Sequence, residues 1–320
     1  MFTSGVPESR KGEDPSFGVG DPPSGSNGPG HSGTVATWCA MTEVSEFRSR
    51  LMSIAYRMLG SVADAEDAVQ DAFLRYQTAG GVSSPEGFLV RTTTRVCIDR
   101  LRERKRRKYV GPWVPEPVAT PCESRDSALA ESLTQAFLLL LERLNPDERA
   151  AFLLRVVFDY EYSALADVLG KSEDAARQLV GRARGRLGLD GNKRFTASPI
   201  EADRLAERFV AACRTGDVKA VEAMLSEDAE IHSDGGGKVS AARVVIRGRN
   251  SVARFLTGVF RKPWLQDVYP ATVNGEPGLV FRQGEGVASV MSLWIADDVR
   301  AIYLISNPDK LSRWEAAKIQ

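Results

Sequence analysis

The stretch L-A-D-V-L-G-K-S-E-D-A-A-R-Q-L-V-G-R-A-R, residues 165–184, decides the fold of the centre of this chain. Gly170 interrupts a helical pattern, and Ser172 is a residue type that favours the N-cap of the next helix. That helix, Glu173 to Leu187, carries apolar residues at three- and four-residue spacing. This apolar stripe consists of Ala176, Leu179, Val180, Ala183 and Leu187. Two helices joined by so short a break predict a helix-turn-helix, and the arginines outside the stripe predict contact with DNA.

A second cationic helix ends in the run R-L-R-E-R-K-R-R-K, Arg100 to Lys108, which holds seven cations. The whole chain has no net charge, because Lys and Arg total 42 and Asp and Glu also total 42. A protein that binds nucleic acid only non-specifically is usually basic overall, so the charge of each segment is the useful quantity. Two basic helices on separate units predict a protein that grips DNA at two places.

The remaining composition predicts no metal site, no cofactor and no disulfide framework. The four cysteines are scattered without C-x-x-C spacing, and the chain has only two histidines. The longest apolar runs, such as Ala136 to Leu141, fall far short of the roughly 20 residues that span a bilayer. The N-terminus carries no charged-then-apolar leader. We therefore expect a reduced, cytoplasmic protein with no membrane partner.

Composition changes along the chain predict a multidomain protein. Residues 1–40 are rich in Gly, Pro and Ser and are expected to be disordered. Residues 41–109 follow a helical period, with one helix from Glu43, a second opened by Asp64 and a third from Pro85. This pattern predicts a compact, all-helical first unit.

A linker and two further units follow. Residues 110–128 contain several prolines and no helical period, which predicts a semi-rigid linker. Residues 129–190 are expected to form a second all-helical unit, with helices over Leu129–Leu144, Asp147–Asp159, Ser163–Leu169 and Glu173–Leu187. Residues 196–320 begin with helices and continue mostly with strands, which predicts a separate α+β domain. Its predicted strands are Ala229–Ser233, Val239–Ile246, Val268–Val273, Gly278–Gln283, Val287–Ile295 and Val299–Ile305.

One helix of the first unit is acidic on its outer side. The acids are Asp64, Glu66, Asp67 and Asp71. Acids near a helix N-terminus stabilise the helix by themselves, so a merely solvated face is one interpretation. The other is a docking surface for a basic partner. The order of parts, from acidic helix through Gly/Ser loop, basic helix and Pro-rich linker to helix-turn-helix, favours the docking surface.

With these parts in this order, the chain resembles the extracytoplasmic-function (ECF) sigma factors, the promoter-recognition subunits of bacterial RNA polymerase. The resemblance covers about residues 43–188. Besides the opening stretch, it rests on A-Y-R-M-L-G-S-V-A-D-A-E-D-A-V-Q-D-A-F-L-R, P-E-G-F-L-V-R-T-T-T-R-V-C-I-D-R-L-R and L-N-P-D-E-R-A-A-F-L-L-R. It implies that residues 41–109 are sigma region 2 and that residues 129–190 are sigma region 4.

The resemblance also implies partners for three surfaces. The acidic helix would bind core RNA polymerase, whose β and β′ subunits are the expected protein partners. Region 2 would bind the −10 promoter element through Tyr76, Arg91, Arg95, Arg100 and Arg102. The helix-turn-helix would bind the −35 element through Lys171, Ser172, Glu173, Arg177, Gln178, Arg182, Arg184 and Arg186. Tyr76 and Phe88 are candidates to stack on melted bases. Core packing is the favoured interpretation for Phe88 and an equal alternative for Tyr76.

The linker string Y-V-G-P-W-V-P-E-P, Tyr109 to Pro117, resembles that of one ECF subgroup. Members of this subgroup carry a C-terminal extension of the SnoaL-like fold with the motifs D-G-G-G-K and N-P-D-K-L, present here as Asp234–Lys238 and Asn307–Leu311. The resemblance implies that the extension contacts the sigma portion and regulates it. The implied contact residues are Trp113, Asp234, Gly235, Gly236, Gly237, Lys238, Asn307, Pro308, Asp309 and Lys310.

The C-terminal domain could in principle be an enzyme. SnoaL-like cones often hold a His/Asp pair in an apolar pit, and His232 and Asp234 stand at strand spacing on one face. No further histidine follows them, so we expect no catalysis, although such a pit has room for a small ligand. The alternative function is a helix-turn-helix regulator that works without polymerase and is fused to a small-molecule-binding or enzymatic SnoaL-like domain. That alternative leaves the acidic helix and the Arg100–Lys108 run unexplained.

Overall fold

The computed structural model describes residues 47–106, 109–120, 132–188, 199–262 and 267–316. The expected disorder of residues 1–40, the last two cations of the Arg100–Lys108 run and the second part of the linker lie outside these residues. Helices come first and a mixed sheet follows, which is the predicted order. In this described part, no helix is both long enough and apolar enough to cross a membrane.

The first unit consists of three helices. They are α1 (residues 47–59), α2 (Val62–Thr78) and α3 (Pro85–Arg104). Serine hydroxyls cap the two later helices, at Ser61 before α2 and Ser84 before α3. The cap at Ser61 explains why α2 begins two residues before Asp64, its predicted first residue. Because α3 ends at Arg104, only the first part of the cationic run is helical.

The second unit contains the helix-turn-helix. Its elements are α4 (Gln135–Leu141), α5 (Pro146–Phe152), a π-helical turn (Leu153–Val157), α6 (Tyr162–Leu169) and α7 (Glu173–Leu187). Gly170 ends α6 with a left-handed φ of 64°, and the Ser172 hydroxyl caps α7 by accepting from the Ala175 amide at 3.2 Å. The predicted apolar stripe of α7 is buried along its whole length.

Two predicted helices of this unit need correction. The helix expected over Leu129–Leu144 begins at Gln135, because the Thr134 hydroxyl accepts from the Phe137 amide at 3.2 Å and caps it there. The helix expected over Asp147–Asp159 widens into the π-helical turn and stops at Val157. Asp159 has a φ of 55°, which no residue of a right-handed helix adopts, so the helix cannot include it.

The two helical units share one apolar core among the described residues. Leu51 and Leu89 of the first unit belong to the same buried cluster as Leu144, Phe152 and Leu165 of the second. Burial of each such side chain contributes roughly 1.5–3 kcal/mol. Packing therefore stabilises the closed arrangement in which the two units lie against each other.

The third unit, as far as the structure describes it, combines four helices with one sheet. Its elements are α8 (Pro199–Thr215), α9 (Val218–Met224), β1 (Leu225–Asp234), β2 (Ile246–Arg247), α10 (Arg249–Phe260), β3 (Asp267–Val273), β4 (Glu276–Gln283), β5 (Gly286–Ile295), β6 (Val299–Ile305), a 3-10 turn (Pro308–Lys310) and α11 (Ser312–Ala316). The strand order is β2-β1-β6-β5-β4-β3. Strands β1 and β6 run parallel, and the other neighbours run antiparallel.

The strand predicted over Val239–Ile246 is wrong except at its last residue. Only Ile246 and Arg247 pair with β1. The chain turns after β1, where the amides of Lys238 and Val239 both donate to the Gly235 carbonyl, and the following residues have no partner strand. Apolar alternation therefore predicts a strand here that the turn prevents from forming.

Both faces of the sheet are buried. One face packs against α8, α9 and α10, with Phe209 and Phe281 in its core. The other face buries Val114 of the linker and Trp314 of α11, with Leu139 of α4 at its margin. The C-terminal unit thus packs onto the linker and the second helical unit through this face of the sheet.

Candidate nucleic-acid interface

The acidic face of α2 is partly neutralised from within the chain. Arg100 of α3 lies 3.8 Å from the Asp64 carboxylate and 3.6 Å from each of the Asp67 and Asp71 carboxylates. It also donates to the Asp64 carbonyl at 2.9 Å. Arg100, a predicted −10 residue, is therefore held on the predicted polymerase-binding face, whose aspartates stay at least 46% exposed.

Glu66, the fourth acid of that face, contacts the last helix that the structure describes, α11. Arg313 of α11 donates to the Glu66 carboxylate and lies 3.6 Å from the Glu116 carboxylate of the linker. The Val62 amide, at the start of α2, also donates to Glu116 at 2.7 Å. Nothing in the sequence indicated a role for Arg313, because its partners are distant along the chain.

The predicted −10 surface on α3 faces the helix-turn-helix. Arg91 and Arg95 are exposed, and a Cβ atom at Gly170 would stand 3.2 Å from the Arg95 guanidinium. Arg102 donates to the Asp147 carboxylate at the start of α5 at 2.9 Å and to Asp99 of its own helix at 3.2 Å. The second unit therefore covers part of this surface.

The predicted aromatic pair lies at the other end of the same helix. Tyr76, near the end of α2, and Phe88, near the start of α3, have ring centroids 5.9 Å apart, and both are half-buried. They pack against each other while each keeps an accessible edge. Tyr76 therefore packs against the core and stays partly exposed, and its stacking on melted bases remains a prediction.

The predicted −35 residues form one exposed face of α7 and its turn. Arg177 pairs with Glu173 at 3.3 Å and lies 4.2 Å over the Tyr162 ring. Arg182 and Arg186 lie 3.6 and 3.2 Å from the Glu148 carboxylate, which is 1% exposed. The residues of the predicted set that are exposed are Lys171, Ser172, Glu173, Arg177, Gln178, Arg182, Arg184 and Arg186.

An ion cluster joins the two helical units. Arg104 of α3 donates to the Glu142 carboxylate at 2.8 and 3.0 Å. Arg149 of α5, only 3% exposed, donates to the same carboxylate and to the Met58 carbonyl, both at 2.8 Å. Burial by itself would raise the pKa of Glu142, but the guanidinium groups of Arg149 and Arg104 bring it below its usual value. The Glu142 carboxylate therefore favours its ionised form and connects Arg104 at the end of α3 to Arg149 within α5.

The D-G-G-G-K and N-P-D-K-L motifs enclose the linker, in an arrangement that we call the linker clasp. The Asp234 carboxylate accepts from the Tyr109 hydroxyl at 2.6 Å, the Val114 amide at 3.0 Å and the Lys310 ammonium at 2.6 Å. Lys310 also donates to the Val114 carbonyl at 2.5 Å. The Asp234 side chain is 0% exposed and that of Lys310 10%, so this is a buried ion pair between the C-terminal unit and the linker.

The rest of both motifs completes the clasp. Asn307 donates to the Tyr109 hydroxyl at 3.1 Å, and Lys238 donates to the Asp309 carboxylate at 2.6 Å. Gly236 has a φ of 60°, and a Cβ atom there would collide with the Asn307 amide. The triple glycine is thus required both by backbone conformation and by close packing.

Trp113 anchors the linker between cations from two units. The Arg104 guanidinium lies 4.3 Å from its ring centroid, and the Lys310 ammonium lies 4.6 Å from it. A Cβ atom at Gly60, just after α1, would stand 2.5 Å from the indole, so only glycine fits there. The indole therefore connects the first unit to the C-terminal unit.

A second junction joins the β3–β4 hairpin to the helical units. Buried Asn274 donates to the Tyr56 hydroxyl at 2.7 Å and accepts from the Val118 amide at 2.9 Å. The Glu276 carboxylate accepts from the Gln135 amide at 3.2 Å, and burial raises its pKa to about 8. Neither residue stands out in the sequence, because Asn274–Gly275 has the composition of an ordinary hairpin turn.

His232 and Asp234 do not form an acid–base pair in a pit. Their register partners on β6, Tyr303 and Ile305, belong to the sheet face that packs on the linker. His232 is bonded to Glu230 at 3.0 Å, and burial lowers its pKa. Asp234 is occupied by the clasp.

The opposite sheet face carries a cavity of about 520 Å³ between α8 and strands β3 and β4. Asp203, Glu207 and Arg214 contribute its charged groups, and no histidine is among the described residues that line it. In the part of the chain that the structure describes, no group of His, Cys, Asp and Glu is arranged to hold a metal ion. Among the described residues, neither His232 nor Asp234 lines this cavity.

Similarity to known proteins identifies the class of protein to which the chain belongs. Residues 44–107 match the family model of sigma-70 region 2, and residues 134–187 match that of sigma-70 region 4. Together with the relatives described next, these matches show that the chain belongs to the ECF RNA polymerase sigma factors. It is a sigma factor that binds core RNA polymerase and promoter DNA and directs promoter-specific initiation.

The chain is similar to the ECF RNA polymerase sigma factor SigJ of Mycobacterium tuberculosis, with 37% identity over 299 residues that cover 84% of this chain and 93% of SigJ. It is 28% identical to the probable ECF sigma factor SigI of the same species over 301 residues, which are 88% of this chain and 96% of SigI. The crystal structure of SigJ matches this fold with a TM-score of 0.68 at 35% identity and covers 83% of this chain and 97% of that one. The fold is therefore two helical sigma units followed by a SnoaL-like α+β domain.

Proposed function

We propose that the C-terminal domain tunes promoter engagement by holding the linker between the two DNA-binding units. The observation that carries this proposal is the buried Asp234–Lys310 pair, which grips the linker at Tyr109 and Val114. A domain that merely accompanied the sigma factor would need no buried ion pair against the linker. A charged pair buried in this way is retained at a cost in desolvation, which favours a specific role in fixing one arrangement.

The distance between the two promoter elements explains how the linker clasp would affect DNA binding. Elements centred about 25 base pairs apart are separated by roughly 85 Å of B-DNA, at roughly 3.4 Å per base pair. In this structure the two DNA-binding units touch, with Arg102 donating to Asp147 at 2.9 Å. The units must therefore separate before both elements are bound. Since the linker is the covalent connection between them, a domain that fixes the linker at residues 109–120 affects how freely they separate.

We assign residue roles accordingly. Asp64, Glu66, Asp67 and Asp71 bind the polymerase β′ clamp helices, and the exposed Arg91 and Arg95 contact −10 DNA together with Tyr76. Arg102, which pairs with Asp147 of the second unit in the closed arrangement, becomes available to DNA after opening. Arg100 pairs with aspartates of its own unit, so opening leaves these pairs in place, and we assign it to the −10 surface beside them. The exposed face of α7 and its turn binds the −35 element. We assign region 2 to residues 41–109, the linker to 110–128, region 4 to 129–190 and the regulatory domain to 196–320.

We further propose that the C-terminal domain performs no covalent chemistry and that the protein works in the cytoplasm, where its polymerase is. Two observations support the absence of catalysis: His232 faces the linker side of the sheet, and Asp234 is fully engaged by donors. The cavity of about 520 Å³ under α8 is where a small ligand of this domain would bind.

Transcription in vitro with core polymerase tests the tuning. One variant ends at Phe195, and another replaces Gly235, Gly236 and Gly237 with alanine. Both should change the yield of promoter-specific transcript without altering any residue assigned to DNA, although not necessarily in the same direction. Gly258→Ala in α10 is the matched control, because a Cβ atom there meets nothing within 4 Å. Yields equal to that of the full-length protein, for both variants and on several promoters, would contradict the proposal.

A further inference from the structure

Asp147 is a carboxylate that contacts one cation from each DNA-binding unit. Its Oδ2 atom accepts from Arg102 of the predicted −10 surface at 2.9 Å. Its Oδ1 atom lies 3.6 Å from the ammonium of Lys171, in the turn of the helix-turn-helix. The Asp147 side chain is 26% exposed, so the site is open to solvent and to DNA. The sequence pattern predicts that both cations contact DNA and indicates no role for Asp147.

Glu142 also contacts a cation from each unit, but its partners Arg104 and Arg149 are not assigned to DNA. The two carboxylates nearest to Asp147 in its ion pairs and sequence do not connect the units. Asp99 pairs with Arg102 at 3.2 Å, but both residues belong to α3. Glu148 pairs with Arg182 and Arg186 and is buried within the second unit, so it keeps these partners when the units separate. The Arg102–Asp147 pair, in contrast, crosses from one unit to the other and must break on separation.

We propose that Asp147 mimics a DNA phosphate and holds the −10 surface of region 2 against the turn of region 4 until DNA replaces it. An anion that offers one oxygen to an arginine and another to a lysine presents the same chemistry as a backbone phosphate. DNA binding and the closed arrangement are therefore mutually exclusive at this residue. The proposal rests on the proposed function in one respect, since it requires that the two units separate on the promoter.

The expected effect is modest because the pair is partly exposed. Exposed ion pairs shift an equilibrium by about 1.5- to fivefold. Loss of the cross-unit pair should raise the fraction of open molecules by that factor. Apparent DNA affinity is limited by the fraction that can bind, so it should rise by the same factor.

Asp147→Asn in the full-length protein tests the proposal, with Asp99→Asn as the matched control. Both changes remove one carboxylate from Arg102, but only the first removes a contact between the units. Two quantities are measured: hydrogen exchange of α3 amides, which reports transient opening, and binding of a short random-sequence DNA duplex. We expect Asp147→Asn to increase both by about 1.5- to fivefold. Asp99→Asn should leave α3 exchange unchanged, and Asp147→Glu should restore wild-type exchange.

Two results would overturn the proposal. One is α3 exchange in Asp147→Asn that equals the wild-type rate. The other is an equal change of exchange and DNA binding in the two asparagine variants, which would reduce the effect to lost negative charge. Failure of the proposed function has a different signature, since it concerns transcription by the Phe195 and glycine variants with core polymerase.

Discussion

Lys310→Met is the sharpest single perturbation of the linker clasp. Methionine has a similar length and flexibility, so it fills the space but offers no charge or donor. The change removes the 2.6 Å contact with Asp234, the 2.5 Å bond to the Val114 carbonyl and the cation over the Trp113 ring. The Asp234 carboxylate keeps the donors Tyr109 and Val114 but loses its buried counter-charge.

The expected loss of stability in Lys310→Met follows from the burial of the ion pair. The Asp234 side chain is 0% exposed and that of Lys310 10%, so solvent screens the pair little. Removal of one partner of a buried pair costs about 3–5 kcal/mol, because it leaves an uncompensated charge. Adding Asp234→Asn to Lys310→Met removes that charge, so the double variant should be more stable than Lys310→Met alone. The coupling between the two changes should reach about 1 kcal/mol or more.

Hydrogen exchange provides the assay. The Val114 amide donates to Asp234, and its protection reports whether the linker is held. In Lys310→Met this amide should exchange faster, and the free energy of unfolding should fall. Unchanged protection at Val114, together with an unfolding free energy within about 0.5 kcal/mol of wild type, would refute the argument that this pair holds the linker.

Three further predictions concern other parts of the molecule. Reversing Asp67 and Asp71 to lysine should abolish co-purification with core polymerase and change stability by less than about 1 kcal/mol, since both are well exposed; normal core binding would remove this helix from the polymerase interface. Arg177, near the start of α7, is expected to reach a base edge, and Arg184, near its end, a phosphate. Arg177→Ala should therefore lower the binding free energy by about 1–3 kcal/mol at one −35 position, whereas Arg184→Ala should weaken binding to all sequences alike. Equal losses on every sequence for both variants would exclude base reading by Arg177. The pKa of Glu276 is raised from 4.5 to about 8, so its contribution to stability is present below about pH 4.5 and lost as pH rises through about 8. Glu276→Gln should remove this slope from a pH series of unfolding curves, and an unaltered slope would mean that Glu276 is not its source.

Local signals in the sequence predict much of the fold. Gly170 ends a helix, Ser172 caps the next one and Pro85 begins a third. Each of these signals acts on backbone groups within a few residues, so the local sequence is enough to locate the helix ends. The predicted α7 bounds and the predicted β6 bounds agree with the structure. The prediction of a strand over Val239–Ile246 is wrong for most of its length because a strand needs a neighbouring strand to pair with. Apolar alternation does not show whether such a neighbour is present.

Local sequence signals do not predict contacts between residues that are distant along the chain. Arg100 and Arg102 have the residue type and the position expected of DNA contacts. In the closed arrangement, however, each pairs with a carboxylate of another helix. Asn274 and Glu276 occupy an ordinary hairpin in sequence, and only the folded structure shows that they meet the helical units. Periodicity identifies which face is buried but not which distant segment covers it.

The central claim is that the C-terminal domain holds the two DNA-binding units together through the linker. The most direct measurement is energy transfer between dyes on the exposed ends of α2 and α7, in the free protein and in a transcribing complex with polymerase and promoter DNA. We predict a short distance in the free wild-type protein, a long distance in the promoter complex and a larger open fraction in free Lys310→Met. A short distance that persists in the transcribing complex, or identical distances in the free wild-type and Lys310→Met proteins, would contradict the account.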